Sequence, residues 1–142
     1  MHDLHNNMRT KVALLPVAIG GNGTDTGVII DRQGYGGVEF AVMYGAVTTT
    51  GTVVTAVMKE GDVTGTLTSV ADGDMLGTEA LVSLSAGARV AGTGKEVTKR
   101  IGYKGNKRYV QLNFVGTGTT SVGYIAAIAL LHSPELAPQD NP

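Results

Sequence analysis

Residues 107–115 read Lys107-Arg108-Tyr109-Val110-Gln111-Leu112-Asn113-Phe114-Val115. Val110, Leu112 and Phe114 alternate with Tyr109, Gln111 and Asn113. A period of two places the first set on one face of a strand and the second on the other. The apolar set is expected to face a core and the polar set solvent. Immediately before it stands Lys104-Gly105-Asn106, preceded by the strand-like run Glu96 to Tyr103. Short glycine-containing loops between two such runs are a hairpin signal, so the sequence predicts a hairpin here.

The same reading extends outward. Val38 to Tyr44 alternates, with Val38, Phe40, Val42 and Tyr44 on one face and Glu39, Ala41 and Met43 on the other. Thr10 to Val17, Gly27 to Asp31 and Thr52 to Lys59 are further strand candidates, with a weaker one over Gly65 to Val70. Ser121 to Leu131 is apolar on both faces, which suits a central strand or one packed against a second copy. The turns between them are Gly20-Gly21-Asn22-Gly23, Gln33-Gly34-Tyr35-Gly36-Gly37, Glu60-Gly61-Asp62 and Gly116-Thr117-Gly118-Thr119-Thr120. Ala71 to Gly94 reads as a long connection. It carries one short helical turn capped by Thr78 and a further strand near Ala88–Ala91.

Composition agrees. Glycine, threonine and valine supply 55 of the 142 residues. β-branched residues favour pleated surfaces and glycine disfavours helices. Short strands at regular spacing, without alternating helices, predict an all-β antiparallel sandwich or barrel. A chain of this length is one domain's worth. The expected division is an N-terminal arm over 1–9, a β-sandwich over 10–132 and an extended proline-rich arm over 133–142.

Several functional classes are excluded or weakened. Without cysteine there is no disulfide scaffold and no thiolate metal site. The chain is 42% hydrophobic and 16% charged, which argues against disorder. The longest apolar run, Tyr124 to Leu131, is far shorter than the roughly 20 residues of a spanning helix. The first residues lack the basic and apolar regions of a secretory signal. A soluble protein is expected.

Catalytic chemistry finds little support. The histidines are His2, His5 and His132. Two fall in the expected arm and the third ends a strand beside Ser133, so no nucleophile–base–orienter set is evident. Gly21-Asn22-Gly23 with Gly27 is one residue too long for a dinucleotide fingerprint. Gly92-Thr93-Gly94-Lys95-Glu96 has glutamate where a phosphate loop needs serine or threonine. Asp62, Asp72, Asp74 and Glu79 form a loose acidic set that falls short of a calcium loop and reads best as solvated turn acids. No catalytic, cofactor or metal residue is assigned.

The basic stretch is more informative. Arg89, Lys95, Lys99, Arg100, Lys104, Lys107 and Arg108 place seven of the eleven basic residues within twenty positions, interleaved with Tyr103 and Tyr109. Three readings compete. They are a solvated sheet edge whose lysines deter aggregation, a docking face for an acidic protein, and a nucleic-acid face. The acids elsewhere in the chain, which leave a net charge of −1, weigh against the last.

Val97 to Val110 also resembles small structural proteins encoded near the capsid genes of tailed bacteriophages and prophages. Three other segments fit the same family: Ile30-Asp31-Arg32-Gln33-Gly34-Tyr35, Ala71 to Glu79, and Ala126 to Pro134 with Ala137-Pro138. Gly36-Gly37 departs from the family pattern, in which a polar residue often follows the tyrosine. The resemblance implies a capsid cement, or decoration, protein. That means a jelly-roll sandwich that forms homodimers or homotrimers and sits on the capsid exterior of the virion after synthesis in the host cytoplasm. Its partners would be the major capsid protein and further copies of itself, with no nucleic acid, membrane, cofactor or catalysis. The interface candidates are Arg100, Tyr103, Lys104, Asn106, Lys107, Arg108 and Tyr109 in the basic stretch, and Pro134, Leu136 and Pro138 in the arm. Reversing Arg100 and Arg108 to Glu is expected to weaken docking with the fold intact. The rivals are a head–tail or tail component and a carbohydrate- or cell-surface-binding sandwich module.

Overall fold

The computed structural model describes residues 3–19, 22–45, 53–84, 97–117 and 123–136. Ten strands are present in these segments: β1 (Met8–Ala18), β2 (Gly23–Asp25), β3 (Ile30–Asp31), β4 (Tyr35–Tyr44), β5 (Val53–Gly61), β6 (Thr68–Ser69), β7 (Met75–Leu76), β8 (Val97–Tyr103), β9 (Tyr109–Thr117) and β10 (Tyr124–Pro134). One helical turn, α1 (Glu79–Val82), lies between β7 and β8, and the Thr78 hydroxyl accepts from the Leu81 amide at its start. The capped turn expected there is present. The strand expected near Ala88–Ala91 lies outside the described residues.

Two antiparallel sheets face each other. One has the order β1-β10-β4-β8-β7, the other β2-β9-β5-β6, with β3 also on β9. If β2 and β3 are taken as one interrupted strand and the two-residue β7 is set aside, eight strands remain. Their orders are first-eighth-third-sixth and second-seventh-fourth-fifth. This is the double Greek key of a jelly roll. Among these eight described strands, only β5 and β6 are both consecutive in the chain and paired with each other.

The expected hairpin around Lys104-Gly105-Asn106 is therefore corrected. β8 pairs with β4 and β7, and β9 pairs with β5, β2 and β3. The Lys104–Arg108 connection carries the chain across the sandwich from one sheet to the other. A short glycine-containing loop serves either geometry, and what chooses between them is what fills the corner. Here the buried Tyr103 ring fills it, and Gly105 crosses the ring so closely that a Cβ would stand 2.6 Å from Cζ.

The core lies between the sheets. Val38, Phe40, Val42 and Tyr44 from β4 are all buried, as the alternation predicts. They meet Val110, Leu112 and Phe114 of β9 and Ala56 and Met58 of β5. Tyr44 and Phe114 meet edge to face with centroids 6.3 Å apart, a favoured aromatic geometry. The Tyr44 hydroxyl donates to the Val82 carbonyl at 2.6 Å, which ties α1 to the core. β10 lies between β1 and β4, so the centrality expected of Ser121–Leu131 holds over the described part.

The polar face of β9 differs from expectation. Gln111 and Asn113 are 8% and 5% exposed rather than solvated. Thr26 to Ile29 leaves the ladder between β2 and β3 and lies over them. Asn113 Oδ1 accepts from the Gly27 amide at 2.9 Å, and Gln111 Nε2 donates to the Gly27 carbonyl at 2.7 Å. The Val28 amide donates to Ala13 at 2.7 Å, where β1 is bulged against β10. The strand expected over Gly27–Asp31 thus reduces to Ile30–Asp31. At Gly27 side-chain amides take the place of ladder partners, so its buried N–H and C=O are both paired.

The ends also differ in detail. β10 continues through Pro134, opposite Tyr35, so the sheet extends two residues into the expected C-terminal arm. His5–Asn7 forms a 3-10 turn in which the Asn6 amide donates to Asp3 at 3.2 Å.

Candidate docking surface

Directly paired residues in an antiparallel sheet point to the same side. On the outer side of the first sheet, the register therefore builds three rows. They are Thr10–Leu130–Glu39–Gly102, Val12–Ile128–Ala41–Arg100, and Ala126–Met43–Thr98. Tyr124 stands beyond the last row. Antiparallel sheets usually turn polar side chains outward, but most of these are apolar. Val12 is 47% exposed, Met43 58%, Ile128 46% and Tyr124 61%. Leu76 and Leu81 extend the apolar area past Arg100. A groove of about 420 Å³ opens at the Tyr124 end, lined by Pro16, Met43, Val97, Thr98 and Ala126. The only charges in the three rows are Glu39 and Arg100, 3.8 Å apart. Partial burial pushes the Glu39 carboxyl up, against the opposing pull of Arg100. A contiguous apolar patch of this kind makes the face a candidate contact surface.

The basic stretch is placed differently. Its described cations mostly bond within the chain. Lys107 Nζ lies 2.6 Å from Asp62, and Arg108 grips Asp31 with two bonds of 3.0 and 2.7 Å while stacking on Tyr109 at 5.0 Å. Lys99 Nζ donates to the Ser83 carbonyl at 2.7 Å. Tyr103, expected as an interface residue, has no exposed surface. Its hydroxyl donates to Glu60 and accepts from the Lys107 amide at 2.9 Å, and burial raises its pKa far above the usual tyrosine value. Tyr103 holds the corner rather than a partner. Lys104 and Asn106 are exposed at the loop, Lys107 and Tyr109 are half-buried, and Arg100 projects from the apolar face. In the arm, Pro134 is half-buried in β10 and Leu136 is exposed, while Pro138 lies outside the described residues.

The sequence reading did not single out Arg32, which organises this corner. Its guanidinium donates to Lys107 O at 2.5 Å, Gly105 O at 2.7 Å and Tyr35 O at 3.0 Å, and lies 5.4 Å from the centre of the Tyr103 ring. Two segments far apart in sequence, Ile30–Tyr35 and Tyr103–Tyr109, are thus one structural unit. Both segments were among the four on which the sequence resemblance was drawn, although nothing in either says that they touch.

Arg108 is part of the same unit, so Arg108→Glu also removes an ion pair within the chain. It would set a carboxylate against Asp31. The pair also gives a pH dependence. The hydrogen bond from Arg108 holds the Asp31 carboxyl below the usual range. A depressed folded pKa contributes stability above the unfolded value of about 3.9, and that contribution is lost as pH falls through the folded value. Thermal melts should therefore show wild type losing stability below about pH 4, with a shallower loss in Asp31→Asn. Parallel curves would mean that the pair adds nothing.

Among the described residues no three acidic or histidine side chains converge as a metal site would require. Lys107 engages Asp62, and Glu79 accepts from the Met58 amide at 2.5 Å. His132 lies over Gly37 with Nδ1 3.1 Å from Ser133 Oγ.

No protein-family model matches the chain, and no curated protein matches it. Among solved structures it is similar to the exported protein XepA of the phage PBSX, at TM-score 0.59 and 16% identity. That match takes in all of this chain and 42% of XepA, so the chain spans about two-fifths of that protein's length. What they share is the fold. Weaker likenesses are to a Bacillus endospore appendage protein (TM-score 0.43, 13% identity, 90% of this chain and 89% of the other) and to the N-terminal cellulose-binding domain of a Cellulomonas fimi β-1,4-glucanase (TM-score 0.41, 13% identity, 92% and 91%).

Proposed function

We propose that this chain is a structural protein of a tailed-phage particle, a decoration protein that binds the major capsid protein on the outside of the head. The observation that carries the reading is the apolar outer face of the β1-β10-β4-β8 sheet, a surface built to be covered. The polar side chains around the Tyr103 corner are used in holding the chain together. A jelly roll and the four-segment sequence resemblance support the same reading.

The carbohydrate-binding alternative has less to stand on. Sugar sites stack rings on exposed aromatics, and Tyr35, Tyr44 and Tyr103 are buried while Arg108 covers one side of Tyr109. Tyr124 alone among the described tyrosines is largely exposed.

Labelling of intact particles from a strain that encodes the chain tests the proposal. Signal spread over the whole shell is expected. Signal confined to one vertex would replace decoration with a head–tail role. Absence from particles, with binding on a glycan array, would overturn the structural reading.

A further inference from the structure

We infer that α1 is a guard, which keeps the outer edge of β5 from accepting a strand of another chain. The inference concerns the second sheet and rests neither on the apolar face of the first nor on the virion role. It begins with the sequence of β5. Val53-Val54-Thr55-Ala56-Val57-Met58 holds no charge, no proline and no glycine, and four of its six residues are β-branched. A segment of this composition on an open sheet edge is a template for cross-β association. The fold leaves β5 with little strand cover on one side. β9 pairs with it along its whole length, whereas β6, opposite, pairs only with Lys59 and Glu60.

The rest of that edge is closed without a strand. Peptide groups alternate between the two sides of a strand, and Val54, Ala56 and Met58 turn theirs away from β9. The Val54 amide donates to the Leu84 carbonyl at 2.9 Å, and the Leu84 amide returns to Val54 at 2.8 Å. The Ala56 amide donates to Ser83 Oγ at 2.8 Å. The Met58 amide donates to Glu79 Oε1 at 2.5 Å, and its carbonyl accepts from Val70 at 3.0 Å. Every outward N–H from Val54 to Met58 is therefore taken, two of them by side chains of one helical turn and the residue that ends it. An incoming strand finds no free donor there. The turn is fastened from the other sheet. The Tyr44 hydroxyl holds the Val82 carbonyl at 2.6 Å, and Lys99 Nζ of β8 holds that of Ser83 at 2.7 Å. Side chains can satisfy the edge but offer no ladder of their own, so pairing stops at α1.

The test compares the full chain with its Glu79→Ala/Ser83→Ala double variant. In wild type, amide hydrogen exchange at Ala56 and Met58 should be as slow as at Thr55 and Val57, whose amides serve the β9 ladder. In the double variant the first pair should exchange at least about tenfold faster relative to the second. Stored below its melting temperature, the double variant should leave solution and bind thioflavin T. Val110→Ala, a truncation in the core that leaves the edge closed, should stay soluble when held equally far below its own melting temperature. Thr55 is exposed on the same strand, so adding Thr55→Lys to the double variant should restore solubility without restoring the melting temperature. Glu79→Gln keeps an acceptor oxygen and should behave as wild type. Should the double variant fail to fold, Ser83→Ala alone takes its place, read at Ala56. Fast exchange of Ala56 and Met58 in wild type overturns the inference. So does a folded variant that stays soluble, equal association by Val110→Ala, or no rescue by Thr55→Lys.

Discussion

Gly27→Ala should be among the most damaging single substitutions in the protein. A Cβ there would overlap the backbone carbonyl oxygen of Leu112 and stand 2.9 Å from that of Ala13. Both obstacles are main chain, so neither can swing away as a side-chain tip can. Relief requires lifting Thr26–Ile29 off β9, which releases the Gly27 amide from Asn113, the Gly27 carbonyl from Gln111, and the Val28 amide from Ala13. Two buried side-chain amides would then lack their backbone partners. Overpacking together with buried unsatisfied groups puts the loss at about 3 kcal/mol or more. For a chain of this length that corresponds to roughly 10 °C in melting temperature. Gly23→Ala and Gly65→Ala are the controls. Neither site has an atom within 4 Å of the added Cβ or a positive φ, and both should melt close to wild type. If Gly27→Ala melts with them, the segment is not seated on β9 as described.

Arg32→Ala should cost about 2–4 kcal/mol in denaturant unfolding, because charged donors to carbonyls contribute more than neutral ones and three acceptors lose their partner together. The more telling variant is Arg32→Lys. A lysine keeps the charge but lacks the planar fork that reaches Lys107 O, Gly105 O and Tyr35 O from one side chain. If geometry is what matters, Arg32→Lys should recover little of the loss. Substantial recovery by lysine would show that charge near the Tyr103 ring, rather than the fork, holds the corner. The free energies of Arg32→Ala and Tyr103→Phe should not add, since the two side chains share the same loop.

The period-two runs carried most of the architecture. Val38–Tyr44 and Lys107–Val115 put the right apolar residues inward because a strand with one buried face must alternate. The capped turn at Thr78 was legible for a similarly local reason. The hairpin was not, because a glycine loop between two strands looks alike whether the strands pair or cross to opposite sheets. Gln111 and Asn113 were misplaced because alternation reports the side of the strand and not what lies over it. The availability of the basic stretch was misjudged for the same reason. Lys107 and Arg108 look available in sequence, but their acids come from Asp62 and Asp31, more than forty residues away.

The amino-acid sequence alone determined an all-β chain of short strands and the inward faces of β4 and β9. These follow from local backbone preference and from the cost of exposing alternate apolar side chains. Tertiary structure decided the pairing order, the burial of Tyr103 under Arg32, the seat of Gly27 on Gln111 and Asn113, and which apolar face stays open. Each of these depends on groups that meet only when distant segments close on one another. Loop-closure geometry and desolvation set them, and neither is written in any single stretch.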